Sequence, residues 1–183
     1  DKQGFIRLLE EAVYRKPISL EEGVSQLIDT LILKGYEIKN KEELRQELLR
    51  TIRQNTMEAK PRKELKEALI LARKHAKTAI LSNTSKESWM LIDEKYGLSG
   101  MVDECFPSFK TGLLKPDLEA FINVISHFKE KAFNTVMIGD SYHSDYLPAR
   151  MLGMRAVLIK RDDSLLGIIK SALSNKDRIE KNS

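Results

Sequence analysis

Three short stretches of this sequence carry residue types that can handle a phosphate group and a hard divalent cation. Ser82-Asn83-Thr84 follows an apolar run that ends at Leu81. Gly112-Leu113-Leu114-Lys115-Pro116-Asp117 sets a lysine just ahead of a predicted helix start, and Gly139-Asp140-Ser141-Tyr142-His143-Ser144-Asp145 follows an apolar run that ends at Ile138. A serine hydroxyl, with the backbone amides of a helix start behind it, can hold phosphoryl oxygens. A lysine offsets the negative charge that develops during transfer, and aspartates supply the oxygen ligands that Mg2+ prefers. Ser82 and Lys115 are therefore the catalytic candidates, and Ser82, Asn83 and Lys115 the phosphate-binding ones. Asp140 and Asp145 form the candidate metal pair, with Asp140 the expected ligand and Asp145 expected to orient it or to partner Lys115. One ingredient is missing: a phosphoryl acceptor, normally a carboxylate when the intermediate is an acyl phosphate, has no candidate in these stretches.

Each of these residues also has a plainer role open to it. Ser82 and Asn83 could cap the next helix, Lys115 could be a solvated surface cation, and Asp140 could close a turn. The joint occurrence of the three stretches, each placed after a predicted strand or before a predicted helix, favours the chemical reading. His143 lies between the two aspartates without a second His or Cys nearby and is read as a surface or pocket residue, while His75 and His127 fall on helix faces. Ser108 and Thr111 flank the Lys115 loop and could touch a substrate; Tyr14, Lys16 and Arg53 are candidates for the side chains that the N-terminal segment presents to it.

The elements that must position these residues follow from the hydrophobic pattern. Up to about residue 57 apolar residues recur at three- and four-residue spacing, which predicts helices. Phe5, Leu8, Leu9, Ala12 and Val13 form one stripe. A second starts after Pro17 with a Ser19/Glu22 capping-box pattern, runs through Val24, Leu27, Ile28, Leu31 and Ile32, and stops at Gly35. Asn40 and Glu43 open a third, through Leu44, Leu48, Leu49 and Ile52. From Pro61 onward helices alternate with short apolar runs: Thr78 to Leu81, a short segment near Cys105-Phe106, Thr135 to Ile138, and Ala156 to Ile159. Such runs predict a parallel sheet buried on both faces, a doubly wound α/β fold. In open sheets of this kind ligands bind beyond the carboxyl ends of the strands, where Ser82 and Asp140 fall. The expected organisation is a helical cap over residues 1–57, a Rossmann-like core over 58–175, and a polar tail over 176–183 that frays.

Ile80-Leu81-Ser82-Asn83, Gly112 through Asp117, and Gly139-Asp140 with Asp145 resemble, in order and spacing, the second, third and fourth signatures of the haloacid dehalogenase-like hydrolase superfamily. Ala149-Arg150-Met151-Leu152-Gly153-Met154 is similar to the segment just after the fourth signature in these enzymes. The resemblance covers roughly residues 61 to 160. It implies a Rossmann-like core with a helical cap, and a Mg2+-dependent phosphatase that hydrolyses a small phosphate monoester through an aspartyl-phosphate intermediate. Two departures stand out. Family members carry an earlier strand ending in Asp-x-Asp, whose first aspartate attacks phosphorus and whose second acts as acid and base. Asp1-Lys2-Gln3-Gly4 aligns with it only crudely, because Gln3 would replace the acid and no strand precedes it. The nucleophile is therefore expected upstream of Asp1, and residues 1–183 are expected to be inactive without it. Pro148 also stands where the family often has glycine, which a helix tolerates only if it begins close to Asp145.

Composition sets the outer limits. The chain has 183 residues with 42% hydrophobic and 32% charged content, and 31 basic against 27 acidic residues of interspersed sign give a net charge of +4. Mixed surfaces of this kind are ordinary solvated faces, so neither nucleic acid nor membrane is an expected partner; a small phosphorylated metabolite is. The single cysteine, Cys105, sits among apolar neighbours and suits a reducing compartment, so a cytoplasmic location is expected. No leader that looks like a signal peptide precedes the first helix. The rival readings are a 2-haloacid dehalogenase on the same fold, which needs no cation, a non-catalytic binding or regulatory domain, and a mutase that passes phosphate between sugars. Substrate identity and oligomeric state are left open by the sequence.

Overall fold

A computed structural model describes residues 2–180, the side chains of 175–180 excepted. Asp1 and the end of the expected tail, 181–183, lie outside them. The chain forms two compact units, one of Asp1–Lys60, Leu81–Leu98 and Phe106–Leu114, the other of Pro61–Ile80, Ser99–Cys105 and Lys115–Ser183. The first unit is thus not confined to the N-terminal helices but takes in two later segments as well.

In the first unit, helix α1 (Lys2–Leu9) runs into a π-helical turn, Glu10–Tyr14, succeeded by α2 (Leu20–Leu33) and α3 (Lys41–Glu58). The caps are those that the sequence predicts. Ser19 Oγ accepts the Glu22 amide at 3.1 Å, and Asn40 Oδ1 accepts the Glu43 amide at 3.1 Å, each satisfying an otherwise orphaned helix donor. α2 stops because Gly35 takes φ +86°, a left-handed conformation that costs glycine little. Val13, Leu20, Val24, Ile28, Leu49 and Ile52 make the core of this unit, so the predicted stripes do face one another. Helix α5 (Lys86–Tyr96) packs on α3 and ends at Gly97, again with positive φ. A buried hydroxyl network, Thr56 Oγ1 to Ser88 Oγ at 2.9 Å and Ser85 Oγ to Ser88 Oγ at 3.0 Å, joins the start of α5 to the end of α3. The short helix α7 (Ser108–Thr111) also belongs here.

The second unit holds α4 (Leu65–His75), the short α6 (Leu98–Met101) apart from its first residue, α8 (Leu118–Phe128), α9 (Leu147–Met151) and α10 (Leu165–Glu180). Strands β1 (Ala79–Ser82) and β2 (Glu104–Pro107) form one two-stranded sheet, and β3 (Val136–Gly139) and β4 (Arg155–Leu158) another. β3 and β4 are parallel, with Val136 opposite Arg155 and Gly139 opposite Leu158. All four expected strands are present, and the fold is the expected mixed α/β one. Among the described residues the expected sheet appears as two separate two-stranded pairs. A π-helical turn, Tyr142–Tyr146, connects β3 to α9 and packs on both strands of this pair. Pro148 is tolerated as expected: α9 starts at Leu147, so the ring occupies the first turn, where no amide partner is lost. The backbone of α10 is helical through Glu180, so the described part of the expected tail, residues 176–180, is helix. Among the described residues no helix is long and apolar enough to cross a membrane.

Candidate functional site

The second unit brings Lys115 and Asp145 together. Lys115 lies just before α8 and Asp145 in the π-helical turn after β3, and Lys115 Nζ donates to Asp145 Oδ1 at 2.6 Å. The pair is well shielded, with side-chain exposures of 14% and 4%. The other carboxylate oxygen, Oδ2, accepts the Ser141 amide at 3.0 Å. Ser141 also caps the turn, its Oγ taking the Ser144 amide at 3.1 Å and its carbonyl the amides of Asp145 and Tyr146. Asp145 is thus pinned from three directions.

Gly139 explains how so tight a corner forms. A Cβ added there would lie 2.3 Å from Asp145 Oδ2, a distance no side chain can occupy. The glycine lets the carboxylate lie directly against the end of β3. π-helical turns are uncommon and concentrate at functional sites, and this one carries Asp145 inward while leaving Tyr142 and His143 outside. Tyr142 is half exposed, with the Tyr146 ring stacked at 5.5 Å and the His143 ring edge-on at 5.3 Å. His143 is therefore a surface residue of the turn, as its isolation in the sequence suggests.

Asp140 behaves differently from Asp145. It is exposed at the end of β3 and has no hydrogen-bond or ion-pair partner among the described residues. No group of three or more His, Cys, Asp or Glu that could hold a metal ion occurs among the described residues. Mg2+, which the resemblance implies, retains several waters and takes only one or two carboxylates alongside phosphate oxygens. Asp140 fits as such a carboxylate. Asp145 fits the supporting role, because both of its oxygens are already engaged.

In the first unit, Ser82 ends β1, and its hydroxyl has no partner among the described residues. Asn83 is engaged instead: its Nδ2 donates to Glu10 Oε1 at 2.9 Å. Helix α5 is capped by Ser85, whose Oγ accepts the Ser88 amide at 3.1 Å, so the capping role open to Ser82 and Asn83 falls to a later residue. Ser108, a candidate substrate contact by sequence, is wholly buried and works as a strut. Its hydroxyl donates to the Tyr14 carbonyl at 2.7 Å and accepts the Thr84 amide at 3.0 Å. Thr111 Oγ1 accepts the Leu113 amide at 3.2 Å and shapes the loop.

The candidate substrate contacts of the N-terminal segment differ in their surroundings. Arg53 is committed to Glu87 and Glu21, which raise its pKa and, in the case of Glu21, lower the carboxyl's through the hydrogen bond from Arg53. It ties α3 to α2 and α5 and does not stand free for a ligand. Tyr14 is largely buried, and burial first, then the negative charge of Glu10, pushes its phenol upward. Lys16 is exposed on the loop after the turn. Glu10 has no signature in the sequence and was not foreseeable, because its partner Asn83 lies 73 residues away.

The chain has the fold of known enzymes over most of its length. It resembles a haloacid dehalogenase family enzyme from Bacteroides thetaiotaomicron, solved in complex with magnesium and inorganic phosphate, at 14% identity and TM-score 0.64, covering 92% of this chain and 80% of that one. A 2-haloacid dehalogenase from Pseudomonas syringae pv. Tomato gives 18% identity and TM-score 0.62 over 96% of this chain and 80% of that one. A phosphatase of the same class from Thermococcus onnurineus gives 21% identity and TM-score 0.54 over 89% and 82%. No curated protein matches the chain. At these identities the structural likeness establishes the fold. The sequence pattern of haloacid dehalogenase-like hydrolases matches residues 2–153, and with that span the chain belongs to the haloacid dehalogenase-like hydrolase family.

Proposed function

We propose that this hydrolase is a Mg2+-dependent phosphatase that cleaves a small phosphate monoester through an aspartyl-phosphate intermediate. The observation that carries the reading is the shielded Lys115–Asp145 pair beside an exposed Asp140 that has no partner among the described residues. A halide-displacing enzyme has no cation to hold, and an acidic residue kept open at a strand end beside a second, neutralised one is then without purpose.

In this reading Ser82 donates its hydroxyl to a phosphoryl oxygen, and the start of the chain segment after β1 orients that end of the substrate. Lys115, held in place by Asp145, offsets charge on the phosphoryl group as the bond to the leaving group breaks. Asp145 fixes the ammonium so that it need not be reorganised during the reaction. Asp140 would hold Mg2+, which when bound supplies electrostatic stabilisation to phosphoryl oxygens. The attacking carboxylate is assigned to a strand upstream of Asp1, and the partner is a small phosphorylated metabolite in the cytoplasm.

The test is phosphate release from a panel of monoesters by protein that carries the attacking carboxylate, with Mg2+ and with chelator. Asp140→Ala is expected to abolish the Mg2+-dependent turnover. Unchanged turnover in that variant would remove the metal assignment. Halide release from 2-chloropropionate in chelator, with no phosphate release from any ester, would replace the phosphatase reading with the dehalogenase one.

A further inference from the structure

Glu10 opens the π-helical turn Glu10–Tyr14, and its Oε1 is held by the side-chain amide of Asn83, next in the chain to Ser82, at 2.9 Å. Its second oxygen, Oε2, has no hydrogen-bond or ion-pair partner among the described residues. The neighbouring Glu11 is different: it is neutralised by Arg7 at 2.7 Å and Arg15 at 2.5 Å. Glu10, which is half buried, has no such cation among the described residues.

The carboxylate is also fixed in place. Ser108, buried at 0% exposure, binds the Tyr14 carbonyl and the Thr84 amide with one hydroxyl, so the end of the π-helical turn and the residue after Asn83 share a strut. On the other side Val13 is buried against Gly23, where an added Cβ would sit 3.0 Å from the Val13 Cα. The turn is therefore clamped between α2 and the end of β1. Its charge is felt by Tyr14, whose phenol is pushed up by burial and then by Glu10. A carboxylate held by the residue next to Ser82 would repel a phosphate that Ser82 binds. Its free oxygen can only be useful toward a part of the substrate that donates a hydrogen bond.

We propose that Glu10, held by Asn83, selects the leaving group, accepting a hydrogen bond from a hydroxyl or ammonium that the phosphate monoester carries beyond its ester oxygen. The inference rests on the phosphatase reading and adds the substrate class to it. Asn83 becomes a positioning residue for Glu10 rather than a direct phosphate ligand.

The test compares Glu10→Gln and Glu10→Ala in the full-length protein with Mg2+, using phosphoethanolamine, glycerol 3-phosphate and p-nitrophenyl phosphate, with melting temperatures to check folding. Glutamine keeps an acceptor for Asn83 and removes the charge. For an ammonium donor, both variants are expected to lose about tenfold or more in kcat/KM on phosphoethanolamine, the size of a charge-assisted bond. For a hydroxyl donor, Glu10→Ala loses about tenfold on glycerol 3-phosphate while Glu10→Gln loses only a few-fold. In either case p-nitrophenyl phosphate, which offers no donor, stays within about threefold, and calorimetry with each ester and the Asp140→Ala protein shows the same ranking in affinity. Equal losses on all three esters, or no loss on any, overturn the inference while leaving the phosphatase reading standing. Failure of the unmutated protein to release phosphate from any monoester of a wider panel overturns both, and turnover confined to esters that carry no such donor overturns the inference alone.

Discussion

The Lys115–Asp145 pair gives the sharpest test of the second unit. Asp145 is 3% exposed, and Lys115 is its counter-charge at 2.6 Å. Lys115→Met removes that charge and leaves a carboxylate buried with one remaining donor, the Ser141 amide at 3.0 Å. Breaking a buried pair from one side costs about 3–5 kcal/mol, because the stranded charge keeps its desolvation penalty and loses its partner. Asp145→Asn should cost less, about 1–3 kcal/mol, since asparagine still accepts from Ser141 and the lysine stem can turn its ammonium to water. The double variant buries no charge, so it should be more stable than the sum of the two losses predicts, by about 2 kcal/mol. At about 2–4 °C per kcal/mol for a chain of this size, Lys115→Met alone should lower the melting temperature by roughly 6–20 °C. The assay is thermal or urea unfolding of the four proteins at neutral pH, read as a double-mutant cycle. A Lys115→Met loss under about 1 kcal/mol, with the two losses adding within about 0.5 kcal/mol, would show a solvent-screened surface pair and refute the reasoning.

Gly139→Ala should displace Asp145, because the new Cβ would lie 2.3 Å from its Oδ2; a loss of about 1–3 kcal/mol in unfolding, together with most of the turnover, is expected, and unchanged stability would mean that the turn can open at little cost. Asp103 accepts the Thr78 amide at 2.8 Å and the Thr78 hydroxyl at 2.9 Å on one oxygen and meets Arg73 at 3.3 Å on the other. The Thr78 amide first, then the Thr78 hydroxyl and Arg73, against opposing desolvation, hold its carboxyl below the ordinary value. A depressed carboxyl stabilises above its unfolded pKa of about 3.9 and loses that contribution as pH falls through the lower folded value. Asp103→Asn should therefore lower the melting temperature at pH 7, with the gap to the parent closing as pH falls below about 4; a constant gap down to about pH 2 would point to packing instead of charge. Arg53 is about 40% exposed between Glu21 and Glu87, so Arg53→Met should cost at most about 1 kcal/mol and leave KM for any ester unchanged; a large rise in KM would restore it as a substrate contact.

The features legible in the sequence are local or periodic. Ser19 with Glu22, Asn40 with Glu43, and the stop at Gly35 are relations over a few residues, and each has one physical solution. The four strands are legible as short apolar runs. Pro148 limits where its helix can start, and the helix obeys. The candidate residues stand out in the sequence as polar types at strand ends, because a polar residue that ends a buried run must serve something other than the core.

The rest depends on contacts that no short window contains. Ser108 reads as a loop serine near the lysine, yet its role is decided by the Tyr14 carbonyl 94 residues away, which draws the hydroxyl inward and turns a candidate substrate contact into a strut. Asn83 reads as a phosphate ligand from its place after Ser82, and the Glu10 carboxylate then claims its amide. Asp140 and Asp145, five residues apart, read as a metal pair in which Asp140 is the ligand and Asp145 orients it or partners Lys115, but the sequence does not show what holds them apart. The π-helical turn separates them, since it swings Asp145 in against Gly139 and Lys115 and leaves Asp140 facing water. An α-helical turn advances about 100° per residue, and the wider π turn advances less, so residue 145 would point elsewhere in an α turn begun at the same serine. The division between a buried, paired carboxylate and an exposed one therefore rests on the turn type rather than on residue identity. Residue types set which chemistry is possible at this site, and backbone geometry decides which carboxylate carries it.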